Sequence, residues 1–281
     1  MPSKPRGWRS RFFSVSITLV NRAIALAGLV LMARDALLGV TGRLRKDASR
    51  EQFFFASGDR SLAAVWVAGE HAPAILLCHG IGETVGHWSA VQAFLLEHGV
   101  ASLAFNYSGY GTSSGRISAE HCEEDMVSAY AELGRRAGAD ARVFVLGFSL
   151  GSGIAASGVA ALKPAPAGLF LCEAFTSFRE AVRAMGFPRW VALGFADIWK
   201  TVDAVRDLQM PVCVVHSDRD GLFPVEMARR IAEACGENGE LIVVSGLGHN
   251  EPYLRPTEEY WGPIVERALQ GGERDPQRQT R

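Results

Sequence analysis

Ser149 stands in Gly147-Phe148-Ser149-Leu150-Gly151, between an apolar run, Val143-Phe144-Val145-Leu146, and a run of small residues from Ser152 to Ala161. That order predicts strand, sharp turn, helix. A serine on such a turn is strained and presents its Oγ above the sheet, while flanking glycines remove the Cβ atoms that would clash there. In a chain with 30 glycines the five-residue pattern alone is weak. Its context decides what it is worth.

A serine hydroxyl is a poor nucleophile and needs a base, and imidazole serves because its ordinary pKa is about 6.5. A buried carboxylate fixes the imidazole tautomer and stabilises the imidazolium that forms. Both types follow later apolar runs. After Val212-Cys213-Val214-Val215 comes His216-Ser217-Asp218-Arg219-Asp220. Asp220 is the expected acid because it lies just before the turn into the Pro224 helix, with Asp218 the alternative. After Leu241-Ile242-Val243-Val244 comes Ser245-Gly246-Leu247-Gly248-His249-Asn250. His249 sits in a glycine-loosened loop and is the expected base. Of the seven histidines it alone lies beyond both candidate acids. His216, closing a buried run, reads as structural, and His79 as a residue that orients its loop.

Acyl transfer also needs donors for a developing oxyanion. The loop His79-Gly80-Ile81-Gly82-Glu83 supplies one candidate, the N–H of Ile81, and the N–H of Leu150 supplies the second. The order Ser149, Asp220, His249 is one that serine hydrolysis uses on α/β sheets.

The elements that must hold these groups are legible as periodicity. Eight short apolar runs alternate with helical patterns: 52–55, 62–67, 74–78, 100–105, 143–146, 169–172, 212–215 and 241–244. The first two flank Ser57-Gly58-Asp59 and read as a hairpin. The others are continuous and apolar, as strands covered on both faces are. Helices are expected over 88–98, 119–136, 224–235 and 257–269. The fold class is therefore α/β, a mostly parallel, doubly wound sheet of about eight strands. In such sheets ligands bind at the carboxyl ends of the strands, where Ser149, Asp220 and His249 all fall.

Composition sets the limits. With 281 residues, 48% hydrophobic and 21% charged, the chain can bury one large core. Its net charge of −1 gives no ground for nucleic-acid binding. The five cysteines include no C-x-x-C pair and read as small buried hydrophobes rather than a disulfide or metal framework. No metal or organic cofactor is expected.

These segments together resemble the α/β-hydrolases of the compact, lysophospholipase-like branch that also contains membrane-tethered protein depalmitoylases. The resemblance covers about residues 51–270. It rests on His79-Gly80-Ile81-Gly82, Tyr107-Ser108-Gly109-Tyr110-Gly111-Thr112-Ser113, Gly147 to Gly151, Glu173-Ala174-Phe175-Thr176-Ser177-Phe178, His216 to Asp220 with Pro224, and Gly248-His249-Asn250. It implies a serine hydrolase acting on carboxylic esters or thioesters of a small or lipid-like acyl substrate, with the acid at Asp220. The alternatives are an aminopeptidase-like amide hydrolase and a non-catalytic fold used for binding. A dehalogenase or epoxide hydrolase would need an aspartate where Ser149 stands. Members often carry Asp-x-Arg-Gly-Tyr-Gly where this chain has Asn106-Tyr107-Ser108-Gly109-Tyr110-Gly111. An ion pair made by that arginine is therefore in question. Relatives also insert a lid where Cys172 and Val212 enclose 39 residues here. Gly80, Phe175, Phe178 and Trp190 are the expected lining of a substrate pocket beneath a small cap.

The termini differ from this domain, expected over 46–270. Residues 271–281 are rich in Gly, Pro and charge and read as a tail. Residues 1–45 read as a basic and apolar N-terminal helix. Lys4, Arg6, Arg9 and Arg11 precede an apolar stretch, Phe12 to Val40, that Arg22, Arg34 and Asp35 interrupt. Each charge at mid-bilayer costs about 2.5–3.5 kcal/mol, which makes this a poor spanning helix. Ser14, Thr18, Asn21 and Arg22 share one helical face, so the segment is read as an amphipathic helix lying on a membrane surface or, as the alternative, a helix packed on its own domain, which makes the protein membrane-associated or cytoplasmic. Arg22 also spoils the apolar core that a cleaved signal requires. Deleting residues 1–45 is accordingly expected to move the protein from the membrane fraction to the soluble fraction. Full-length protein already in the soluble fraction refutes the anchor.

Overall fold

The computed structural model describes Arg22, residues 50–69 and residues 72–270. The segment 12–40, apart from Arg22, the tail 271–281 and His71 lie outside the described residues. No helix among the described residues is long and apolar enough to cross a membrane.

Eight strands form one sheet: β1 (Arg50–Ser57), β2 (Arg60–Val67), β3 (Ala74–Cys78), β4 (Ala101–Phe105), β5 (Val143–Phe148), β6 (Gly168–Cys172), β7 (Val212–Ser217) and β8 (Gly239–Val244). Their order is β1-β2-β4-β3-β5-β6-β7-β8. The β1–β2 and β2–β4 pairs are antiparallel, and every later pair is parallel. The two-residue turn Gly58-Asp59 closes the hairpin, with Gly58 at φ +59°. Primed turns require this left-handed geometry, which glycine adopts without strain.

The crossovers are helical. They are α1 (Ser89–Glu97), α2 (Ala119–Ala137), α3 (Leu150–Gly158), the short α4 (Phe178–Ala184), α5 (Arg189–Ala192) and α6 (Thr201–Ala204), and α7 (Val225–Ala234); α8 (Glu251–Leu254) and α9 (Glu258–Gln270) follow the last strand. Ser118 caps α2 by accepting the N–H of His121, and Glu120 stands in its first turn, where the helix dipole favours an acid.

Strand side chains alternate between two cores. From β3, Leu76 and Cys78 pack with Met126 and Leu133 of α2 and Ile154 of α3. Ile75 and Leu77 face the other way, onto Val91 and Leu95 of α1 and Trp261 and Ile264 of α9. Both faces are covered, so the strand sequences read as unbroken apolar runs. β8 departs from the expectation of a buried strand. It is the sheet edge, and Val243 is 39% exposed. An apolar run does not reveal whether its second neighbour exists.

A buried acid stands near the β4 loop. Arg60, opening β2, places its guanidinium 3.2 Å from the fully buried Asp125 of α2, whose other oxygen accepts the Ser108 N–H at 2.7 Å. A buried carboxylate needs such partners.

The second core centres on Trp88. It is fully buried and its ring meets Phe148, Tyr253 and Trp261 at centroid distances of 5.6, 5.8 and 6.2 Å. Trp88→Ala is expected to lower stability by about 3–5 kcal/mol, measured as a fall in the urea or thermal unfolding midpoint. An unchanged midpoint contradicts this packing.

Candidate active site

The turn after β5 is fixed by steric limits. Ser149 has φ +52°, a conformation that costs a residue with a Cβ on the order of 1–3 kcal/mol. Its N–H donates to Cys172 O at 3.0 Å, which ties the turn to β6. A Cβ on Gly147 would lie 2.3 Å from Gly151 O, and one on Gly151 would lie 2.0 Å from Cys78 O. Neither contact is sterically allowed, so only glycine lets α3 start this close to β3.

The loops after β7 and β8 hold each other. Asp218 Oδ1 accepts the Gly246 N–H at 2.7 Å, and Ser217 Oγ accepts the Leu247 N–H at 3.1 Å. Asp220 Oδ1 accepts the N–H groups of Leu222 and Phe223 at 2.7 and 3.0 Å. These bonds place His249 beside both remaining groups. His249 Nδ1 is 2.7 Å from Asp220 Oδ2, and its Nε2 is 2.9 Å from Ser149 Oγ. A carboxylate only accepts, so Nδ1–H donates to Asp220 and Nε2 is left to accept from the serine hydroxyl. The ring is held edge-on by Phe223 at 5.2 Å and flanked by Phe148 at 5.6 Å.

The carboxylate on His249 is therefore that of Asp220. Asp218 spends its side chain on the neighbouring loop. Burial raises the Asp220 pKa, but the hydrogen bond and charge of His249 and a hydrogen bond with Glu173 outweigh it and hold the group at about 2.

Ser149 and His249 open into a cleft of about 590 Å³, lined also by Ile81, Leu222, Asn250 and Tyr253. That volume suits a small ligand. No hydrogen bond among the described residues takes up the Ile81 N–H, and the Leu150 N–H lies in the first turn of α3, whose amides have no intrahelical acceptor. Neither expected oxyanion donor has an acceptor among the described residues.

The expected pocket lining requires correction. Gly80 packs against Ser149 Cβ, and its N–H donates to Glu83 Oε2 at 2.9 Å, so it shapes the loop and does not line the cleft. Phe175 is buried behind Phe223, with ring centroids 5.6 Å apart. Phe178 packs on Phe195 and Trp199. Trp190 is 76% exposed on the cap. Aromatic residues between β6 and β7 pack on one core or face solvent, and none of them lines the cleft. The aromatic groups near the chemistry are instead Phe148, Phe223 and Tyr253.

Two acids escaped the sequence reading. Glu83 is buried and accepts from both the Gly80 N–H and Trp88 Nε1–H, the latter at 2.8 Å, pinning the donor loop to the second core. Glu173 is fully buried at the carboxyl end of β6. The available signal was its position, a charged residue directly after a buried strand. His79 is buried against Tyr107 and Tyr110 with Nδ1 on Gly80 O at 2.7 Å, and burial takes its pKa down to about 4.

Ligand atoms of Glu173, Asp220 and His249 lie within 4.8 Å of one another, a grouping a metal ion could use. The 2.7 Å contact between Nδ1 and Oδ2 is instead a hydrogen-bond distance; ligands about 2 Å from a tetrahedral metal stand roughly 3.3 Å apart. His249 and Asp220 are thus joined by a hydrogen bond.

A family model described as serine aminopeptidase, S33, matches residues 69–204, which include the serine turn and stop before Asp220. The Pyrococcus furiosus esterase Pf2001 superposes with a TM-score of 0.64 at 20% identity, over 79% of this chain and 90% of that one. The chain is an α/β-hydrolase. An uncharacterized protein of Mycobacterium tuberculosis is 32% identical over 190 residues, 66% of either chain. The lysophosphatidylserine lipase ABHD12 of Danio rerio is 26% identical over 187 residues, 60% of this chain and 49% of that one. The alignments thus span about two thirds and about half of these relatives.

Asp220 also shapes stability. Its folded pKa lies below its ordinary value of 3.8. Its contribution is therefore present above about 3.8 and is lost as pH falls toward about 2. Acid unfolding followed by circular dichroism should show this loss, and Asp220→Asn should flatten it. Equal acid profiles for the two proteins contradict the assignment.

Proposed function

We propose that this α/β-hydrolase cleaves carboxylic esters or thioesters through an acyl-enzyme on Ser149. The observation that carries the reading is the continuous chain Ser149 Oγ, His249 Nε2, His249 Nδ1, Asp220 Oδ2, with contacts of 2.9 and 2.7 Å.

Ser149 Oγ attacks the acyl carbonyl as its proton passes to His249 Nε2. The imidazolium that forms keeps Nδ1–H on the Asp220 carboxylate, whose charge stabilises it. The carbonyl oxygen becomes an oxyanion held by the N–H groups of Ile81 and Leu150. Losing one such donor typically costs on the order of 10²–10³ in rate. His249 returns the proton to the leaving oxygen or sulfur, and the C–O or C–S bond breaks. Water, deprotonated by the same Nε2, then attacks the acyl-enzyme and frees Ser149.

The substrate class rests on the cleft, where Ile81, Leu222 and Tyr253 offer apolar surface beside polar Asn250 and Arg219. This suits an acyl chain joined to a polar leaving group. The esterase and lipase among the similar proteins support the ester reading. Amide cleavage is a second reading, favoured by the aminopeptidase description of the matching family model. The basic and apolar pattern of residues 12–40 supports delivery of the domain to a membrane surface, where lipid-like substrates reside.

A fluorophosphonate probe should label the wild type and fail on Ser149→Ala. Asp220→Asn should lower kcat by about 10⁴-fold through the wrong tautomer. A chain-length series of nitrophenyl esters and acyl thioesters, run beside aminoacyl amides, separates the two readings. An intact, unlabelled wild type overturns both.

A further inference from the structure

Glu173 is a buried acid that no step above employs. It directly follows β6 at φ +45°, a left-handed conformation unfavourable for a residue with a Cβ. The fold holds it there from two sides. Its N–H donates to Val215 O at 3.1 Å, and its Oε1 accepts the Ser217 N–H at 3.0 Å. These bonds aim the carboxyl at Asp220.

The groups that face it come from four elements. Asp220 and His216 belong to β7 and its loop, His249 to the loop after β8, Tyr260 to α9, and Cys172 to the end of β6 itself. None is a fixed cation. His216 Nε2 lies 3.6 Å from both Glu173 Oε2 and Asp220 Oδ2, but it donates to Phe223 O at 2.9 Å. Its Nδ1 has no partner among the described residues, and burial lowers its pKa. His216 is therefore a neutral imidazole.

Two carboxyl groups thus share one dry site, and like charges so placed cannot both be ionised. The donors decide which holds the proton. Asp220 accepts three N–H groups, from Leu222, Phe223 and His249. Glu173 accepts the Ser217 N–H and is faced by the Tyr260 hydroxyl, its Oε2 makes no hydrogen bond among the described residues, and one of its carboxyl oxygens lies within 4.8 Å of an Asp220 oxygen. With Asp220 already accepting three N–H groups, a proton on Glu173 lets the unpaired Oε2 turn from an unsatisfied acceptor into a donor toward Asp220. Burial first, and then the Asp220 hydrogen bond and charge, push its pKa up to about 9.

We propose that Glu173 is a positioning residue that donates its carboxylic O–H to the Asp220 carboxylate, making a chain of four groups: Ser149, His249, Asp220 and Glu173. This rests on the reading of the first three as the catalytic triad. The O–H bond keeps the acid pair at a single negative charge and holds Asp220 Oδ2 on His249 Nδ1. Loss of that proton at alkaline pH sets two carboxylates against each other and drives Asp220 off the imidazole.

The test measures kcat and KM for a nitrophenyl ester from about pH 6 to 10 in wild type, Glu173→Gln and Glu173→Leu, with fluorophosphonate labelling of each. Wild-type kcat should fall as pH rises through about 9. Glu173→Gln, which keeps a donor and cannot ionise, should lack that fall. Glu173→Leu should lose about 10–100-fold in kcat with KM little changed, as for a lost hydrogen bond to a charged group, and Glu173→Gln should recover most of it. An equal alkaline fall in Glu173→Gln, or full activity in Glu173→Leu, overturns the proposal. Infrared spectroscopy of the wild type answers even if a variant does not fold. A protonated-carboxyl band at neutral pH that vanishes through about 9 supports the proposal, and a neutral-pH spectrum without one refutes it. Wild type that fails to label sinks the triad reading itself, whereas labelled wild type with no effect of Glu173 removes only the fourth member.

Discussion

The closeness of two backbones governs this molecule. The first turn of α3 presses on the last carbonyl of β3 so tightly that a single methyl group at Gly151 would sit 2.0 Å from Cys78 O. That contact fixes where Ser149 projects, and it also sets the neighbouring strands. β3 and β5 pair in register from Ala74 and Val143 to Cys78 and Gly147, so the donor loop and the serine turn leave the sheet at the same level. The Leu150 amide and the loop of Ile81 can then converge on one oxygen. The strain at Ser149 is borne by this packing, as strain at functional sites generally is.

Charge is handled with similar economy. The interior beneath the cleft holds Asp220, Glu173 and His216, and among the described residues the groups that act on Glu173 and His216 most strongly include no lysine or arginine. Such a site tolerates one net negative charge if enough N–H groups converge on it, and the loop from Asp220 to Phe223 supplies two from its own backbone. On the opposite side of the same loops, Glu83 collects the Gly80 amide and the Trp88 indole. Acidic side chains here act mainly as acceptors that freeze loops.

The sheet was readable because each strand is a short apolar run with turn residues at its ends, and all eight runs coincide with strands of the structure, the run 100–105 starting one residue before β4. The serine, the histidine and the acid were readable because each follows such a run at its carboxyl end. Other features were not accessible for physical reasons. Val243 looks like core in sequence, yet β8 has no outer neighbour. Phe175, Phe178 and Trp190 look like a pocket, yet aromatic content does not show which way a short crossover faces. Glu173 also follows an apolar run at its carboxyl end, but a sequence does not show that it lies buried beside Asp220.

The imidazole of His249 lies between Phe148, which belongs to the core under α1 and α9, and Phe223, which belongs to the core under α2, α3 and α7. The two hydrophobic layers touch the reacting groups from opposite sides of the sheet. The geometry of His249 and Ser149 is therefore a gauge of the whole domain. A loosening of either layer reaches the ring through one aromatic wall, so the molecule cannot soften on one side and keep its site in tune.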